Sequence, residues 1–295
     1  MSGNPSSPEL GTALGITRLA NRPLLSSALI ALAAAVLLSL TFILDFKERI
    51  DPLFSDRVTV RLIDVGFRMT MGALLILLVT PWLLGLEHSP GWIRAYLRHM
   101  RVSLGDSPQK TILATVAALG VLVLLIVGFA LALGVFEADL GVLIRDKQWI
   151  ILLLAFVPGI WEELAFRGVV LTNLQQRYST RKAIGISSIL FGLFHLSNFW
   201  GSNDAAAVLA GVVAATLLGI GWGYIVVLTN SIFPAMVLHY MVDVLLDAET
   251  FIDPQANDDS LAPLFLGLTI LWPLLTILIT RVVTARQPHP VGYGS

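Results

Sequence analysis

Residues 111–136 read TILATVAALGVLVLLIVGFALALGVF, 26 consecutive positions without a charged side chain. An apolar helix of about 20 residues is enough to cross a bilayer. Seven further runs of this kind lie at 24–44, 65–86, 148–171, 181–199, 205–228, 231–248 and 261–281. All eight read as helices, because an isolated strand cannot satisfy its backbone hydrogen bonds in hydrocarbon. The expected fold class is therefore all-α: a polytopic membrane protein of about eight transmembrane helices with its site in the core of the bundle. The first run exceeds the roughly 7–15 residues of a signal-peptide apolar stretch, so it reads as an anchor.

The composition agrees. Hydrophobic residues make up 56% of the 295 positions and charged residues 13%, where a soluble domain carries about 25% charged. The mean hydropathy is +0.81. So few charges cannot coat a globule of this size, so lipid must solvate much of the surface. A soluble enzyme, a disordered chain and a nucleic-acid binder are excluded, and a net charge of −1 fits the last exclusion because duplex binding needs a basic footprint. The absence of cysteine removes disulfides, thiolate metal sites and a cysteine nucleophile.

Lysine and arginine counts set the expected orientation. With both termini cytoplasmic, the inner segments hold eleven basic residues, among them Arg22, Arg94, Arg98, Arg101, Lys110, Arg177, Arg181, Lys182 and Arg281, against six outside. The 249–259 loop carries Glu249, Asp253, Asp258 and Asp259 without a base, which suits an outer loop. Residues 91–101, GWIRAYLRHMR, place Trp92, Ile93, Tyr96, Leu97 and Met100 at helical spacing, with Arg94, Arg98 and Arg101 mostly on the other side. This reads as an interfacial helix on the inner leaflet, either a topology anchor or a contact for membrane lipid. The sixth run carries Gly211, Ala215, Gly219 and Gly223 on one stripe, a helix-packing face.

Ionisable residues within apolar runs cost roughly 2.5–3.5 kcal/mol each on insertion scales, so they are the informative ones. The fourth run holds Glu162, Glu163 and Arg167 in FVPGIWEELAFRGVV. Glu163 and Arg167 are four apart in the favourable order for a helix ion pair, whereas Glu162 points about 100° away and has no partner on its own helix. His195 ends the fifth run in FGLFHLSNF, and the seventh holds His239 and Asp243 on one face in FPAMVLHYMVD. Asp243 could orient the imidazole, or both could meet one metal ion. Asp64 and Arg68 in the second run read as a structural pair, and Ser187 and Ser188 as packing hydroxyls. Two carboxylates and two imidazoles drawn from three helices could activate water and stabilise an oxyanion, with or without zinc.

In this order the motifs Glu162-Glu163-x-x-x-Arg167, Phe191-x-x-x-His195 and His239-x-x-x-Asp243 resemble those of the CPBP family, which covers type II CaaX prenyl endopeptidases and bacteriocin-processing relatives. The match spans roughly residues 148–245. The resemblance implies an intramembrane endopeptidase acting on a membrane-associated protein or peptide, of prenylated CaaX type in one branch. It implies that Glu162 is the general base, that His195 helps it activate water, that Glu163 is held by Arg167 in support of the site, and that His239 and residue 243 face the oxyanion. The prenyl-endopeptidase branch usually has asparagine at that last place. An ionised Asp243 only accepts hydrogen bonds, so Asp243 is protonated, or orients His239, or ligates metal. Members are described as metal-dependent and as glutamate-dependent; in the metal-dependent form Glu162, His195, His239 and Asp243 are the candidate zinc ligands. No HExxH, GxSG-type or GxGD motif competes. A non-catalytic membrane partner, such as an immunity or scaffolding protein, and an ion or proton transporter are the alternatives. The implied division is a cytoplasmic segment 1–23, three N-terminal transmembrane helices with the interfacial helix in 24–147, a catalytic core 148–248, and the last helix and tail 249–295.

Overall fold

The computed structural model describes Leu19 and residues 21–43, 53–54, 57–84, 91–133, 155–202, 204–247 and 267–285. The described residues form nine helices and no strand. These are α1 (Pro23–Ile43), α2 (57–84), α3 (Trp92–His99), α4 (Pro108–Leu133), α5 (156–174), α6 (Thr180–Phe194, continued as a 3₁₀ stretch over His195–Trp200), α7 (Ala205–Thr229), α8 (Phe233–Asp247) and α9 (267–285). Each apolar run of the sequence has its helix, and α3 covers the stretch expected to be interfacial. The protein is an all-α integral membrane protein. Five stretches are long and apolar enough to cross a bilayer by themselves: Pro23–Leu40, Leu62–Leu84, Pro108–Gly128, Thr180–Trp200 and Ala205–Thr229. The first residues of the runs at 148–171 and 261–281, the acidic 249–259 loop and both chain ends lie outside the described residues.

Which face of a helix turns inward follows side-chain size. In α4, Ala114, Ala118 and Leu122 recur at four-residue spacing and are buried, while Val116, Val123 and Leu124 are exposed, as lipid-facing residues must be. The alanine seam lets α9 approach until the buried Trp272 indole donates to the Ala118 carbonyl at 3.1 Å. A small residue at a helix contact replaces the missing hydrophobic drive between helices in lipid.

Three helices contain π-helical turns: α2 at Leu75–Val79, α5 at Leu164–Leu171 and α9 at Gly267–Leu271. The one in α2 explains the position of α3. Within it the Thr80 N–H bonds Leu75 O, and the next residue along, Pro81, has no N–H to offer Ile76. The Tyr96 hydroxyl of α3 donates to that Ile76 carbonyl at 3.0 Å. Tyr96 and Met100, expected against lipid, are consequently 2% and 1% exposed inside the protein. Ile93 and Leu97 remain outward, so α3 is an edge of the bundle rather than a helix lying free on the leaflet.

The chain after α3 ties one end of the bundle together. Ile232 N donates to Arg101 O at 3.2 Å, Arg101 Nη2 donates to Gln175 Oε1 at 2.6 Å, and Asn230 Nδ2 donates to Asp106 Oδ1 at 3.1 Å. At the same end Asn173 Nδ2 donates to Ser26 Oγ at 2.7 Å and to Pro23 O at 3.2 Å. The start of α1, the end of α5 and the α7–α8 turn therefore share one end, as alternate crossings require.

Candidate active site

The fourth apolar run, the first to carry a motif, folds as α5, an α-helical stretch Phe156–Glu163 followed by the π turn Leu164–Leu171. Such turns appear often at functional sites. The two glutamates sit at the junction. Gly159, one turn earlier, faces α8: a Cβ there would stand 3.4 Å from Tyr240 N and 3.5 Å from His239 Cβ. α5 and α8 thus pack side by side here, at ordinary contact distance, which brings His239 to the acids.

Arg167 Nη1 donates to Glu163 Oε1 at 2.8 Å, with the two side chains 1% and 0% exposed. The same carboxylate oxygen takes a second donor, His239 Nδ1 at 2.9 Å. A carboxylate accepts, so the Nδ1 nitrogen carries the proton of that bond. Glu163 thereby fixes which way the imidazole faces. The other ring nitrogen, Nε2, lies 3.8 Å from Glu162 Oε2 and 3.7 Å from Asp243 Oδ2. Glu162, without a partner on its own helix, thus meets one from α8. Glu162 Oε2, Glu163 Oε2 and Arg167 Nη2 are buried and make no hydrogen bond among the described residues. Two carboxylates and Nε2 converge at distances a single small polar molecule would span.

The orienting role that the sequence left open for Asp243 is geometrically taken by Glu163, 76 residues before His239 in the chain. The reason is directional: a residue four along from His239 reaches Nε2, and Nδ1 turns toward α5.

His195 starts the 3₁₀ stretch. Its Nδ1 donates to the Phe191 carbonyl at 2.9 Å, so Nε2 is left as the acceptor nitrogen. The Phe191 ring stands edge-on to both imidazoles, 4.8 Å from His195 and 5.9 Å from His239. No ion pair or hydrogen bond joins His195 to a carboxylate among the described residues. The structure therefore brings Glu162, Glu163, Arg167, His239 and Asp243 together and sets His195 beside Phe191, whose ring also meets His239.

Phe191 also serves the charge. The Arg167 guanidinium carbon lies 4.1 Å from the centre of its ring and 5.2 Å from that of Trp222, a cation–π arrangement that is worth more when desolvated. Trp222 itself stacks on His239, centroid to centroid 4.6 Å with 25° between planes. Trp222 was missed in the sequence, where 219–223 reads only as a packing face. The signal was present: Trp222 is three residues past Gly219, and so on the same side of α7 as the small-residue stripe.

The remaining readings resolve simply. Asp64 and Arg68 pair, with Nε donating to Oδ1 and Oδ2 at 3.2 and 3.1 Å. Ser187 Oγ donates to Phe166 O at 2.9 Å and Ser188 Oγ to Ile184 O at 2.8 Å. The residues nominated as zinc ligands do not form a donor set: among the described residues no group of three His, Asp or Glu side chains is arranged to hold a metal ion.

Comparison with known proteins matches residues 145–245 to the family model described as type II CAAX prenyl endopeptidase Rce1-like. That stretch contains all three motifs. No curated protein and no solved structure matches the chain.

Proposed function

We propose that the chain is an intramembrane protease of the CPBP type and that it hydrolyses a peptide bond of a membrane-associated, CaaX-type prenylated protein or peptide with a Glu162-activated water, a reading supported by the match of residues 145–245 to the Rce1-like model. The observation that carries this reading is the buried series Arg167–Glu163–His239, which presents Nε2 to Glu162 and Asp243. Glu162 takes a proton from water as its oxygen attacks the scissile carbonyl. The oxyanion forms on the His239 and Asp243 side. Glu162 then returns the proton to the departing amide nitrogen as the C–N bond breaks. His195, whose Nε2 is an acceptor, lies on the flank of the site where it assists the water. Counting along α8 from Ser231 and along α5 back from Leu174, the site lies about 12–18 Å from the end of the bundle that holds the α7–α8 turn. That is close to the middle of a hydrocarbon core of about 30 Å, where water is excluded and electrostatic effects are strong.

The test is cleavage by the purified protein, reconstituted in liposomes, of a quenched fluorescent farnesylated peptide ending in a CaaX sequence, with products read by mass spectrometry. Cleavage within that sequence is the expected result; an intact peptide would overturn the reading. In the same assay Asp243→Asn is expected to keep activity within about threefold, because an amide donates to an oxyanion. A loss of more than about 100-fold would instead mean that a carboxylate is required at this place.

For orientation, the end of the bundle bearing Arg94, Arg98, Arg101 and Arg177 is proposed to be cytoplasmic, following the basic bias. A cysteine in place of Asn257 is then expected to react with an impermeant maleimide on intact cells. Protection until permeabilisation would reverse the assignment.

A further inference from the structure

Trp222 lies outside all three motifs, yet it is 3% exposed and touches both halves of the buried series. Its ring is nearly parallel to the His239 imidazole at 4.6 Å and lies 5.2 Å from the Arg167 guanidinium carbon. The backbone of α7 is brought in for this purpose by Gly219, where a Cβ would stand 3.0 Å from Arg167 Nη2 and 3.2 Å from Ser188 Cβ. Gly223 does the same one turn later, with Ile184 Cγ2 at 3.0 Å. Glycines at 219 and 223 therefore let the indole between them reach the site.

Two restraints then act on His239. The Glu163 hydrogen bond selects which nitrogen faces α5, but one hydrogen bond leaves the ring free to tilt about it. A flat partner removes the tilt. We propose that Trp222 is a positioning residue of the hydrolytic site: by stacking it fixes the plane of His239 so that Nε2 stays aimed between Glu162 and Asp243. This rests on the reading of the site given above. Its consequence is kinetic. Misplacing a group that meets the developing oxyanion by about 1 Å costs on the order of 100-fold in rate, and losing an interaction made with the transition state alone lowers kcat without raising KM.

Phenylalanine and methionine fill similar volumes, but only phenylalanine offers a flat face. In the farnesylated-peptide assay, Trp222→Phe is expected to keep kcat within about threefold, and Trp222→Met to lower it about 30–100-fold with KM changed less than about twofold. Equal kcat values for the two variants would overturn the proposal, as would a change confined to KM. Loss of folded protein in both variants would overturn it too, since Trp222 would then act through packing alone. A wild-type protein that leaves the peptide intact is a different failure and sinks the hydrolytic reading itself.

Discussion

Replacing Glu162 with glutamine is expected to lower kcat by about 10²–10⁴-fold, the range that a positioned general base contributes, while leaving the fold nearly unchanged. Glutamine keeps the shape of the side chain and loses its basicity. The environment tolerates the exchange: Glu162 Oε2 accepts no hydrogen bond among the described residues, and its nearest ionic partner, His239 Nε2, stands 3.8 Å away. No paired charge is orphaned by removing this one. Turnover of the peptide and thermal unfolding in detergent, measured on the same preparation, provide the check. A variant that retains more than about a tenth of wild-type turnover would remove Glu162 from the role of base.

The second large effect belongs to Glu163, and it is on stability. One oxygen of Glu163 accepts from both Arg167 and His239, at 2.8 and 2.9 Å. Glu163→Gln would leave Arg167, 1% exposed, as a cation without its counterion. Breaking a buried pair in this way costs roughly 3–5 kcal/mol. The neighbouring aromatic rings of Phe191 and Trp222 offset part of that, since cation–π contacts of a desolvated guanidinium are worth about 2 kcal/mol. Removing both charges together, in Glu163→Gln with Arg167→Met, is expected to recover much of the loss, because replacing a whole buried pair by apolar groups is often neutral. The double variant should still be slow, since His239 Nδ1 no longer has a carboxylate to hold it. Equal thermal stability of Glu162→Gln and Glu163→Gln would contradict this division between the adjacent acids.

The two predictions separate residues that are neighbours in sequence and nearly equal in burial. Their difference comes from rotation about the helix axis. One position turns Glu163 toward Arg167, on its own helix, and toward the Nδ1 side of His239. The other turns Glu162 to the Nε2 side, where Asp243 also arrives. The π turn that starts at Leu164 follows directly and carries Arg167 within it, so the geometry of the pair is set by a helix that is locally wider than the α form.

Hydropathy alone determined that this is a helical membrane protein, because a run such as 111–136 has no other way to satisfy its backbone in lipid. Spacing alone determined the pairings within one helix: Glu163 with Arg167, Asp64 with Arg68, and His239 beside Asp243, since residues four apart share a face whatever the rest of the fold does. Everything that depends on depth and rotation between helices was left to the tertiary structure. The link from Glu163 to His239 joins α5 to α8, across 76 residues of chain. The stack of Trp222 on His239 depends on how closely α7 approaches, which Gly219 and Gly223 permit. The burial of Tyr96 depends on a carbonyl that a π turn and Pro81 together leave without a backbone donor. Local spacing is a property of one helix axis, but convergence needs several axes at fixed separations, and those follow from packing contacts between residues far apart in the chain.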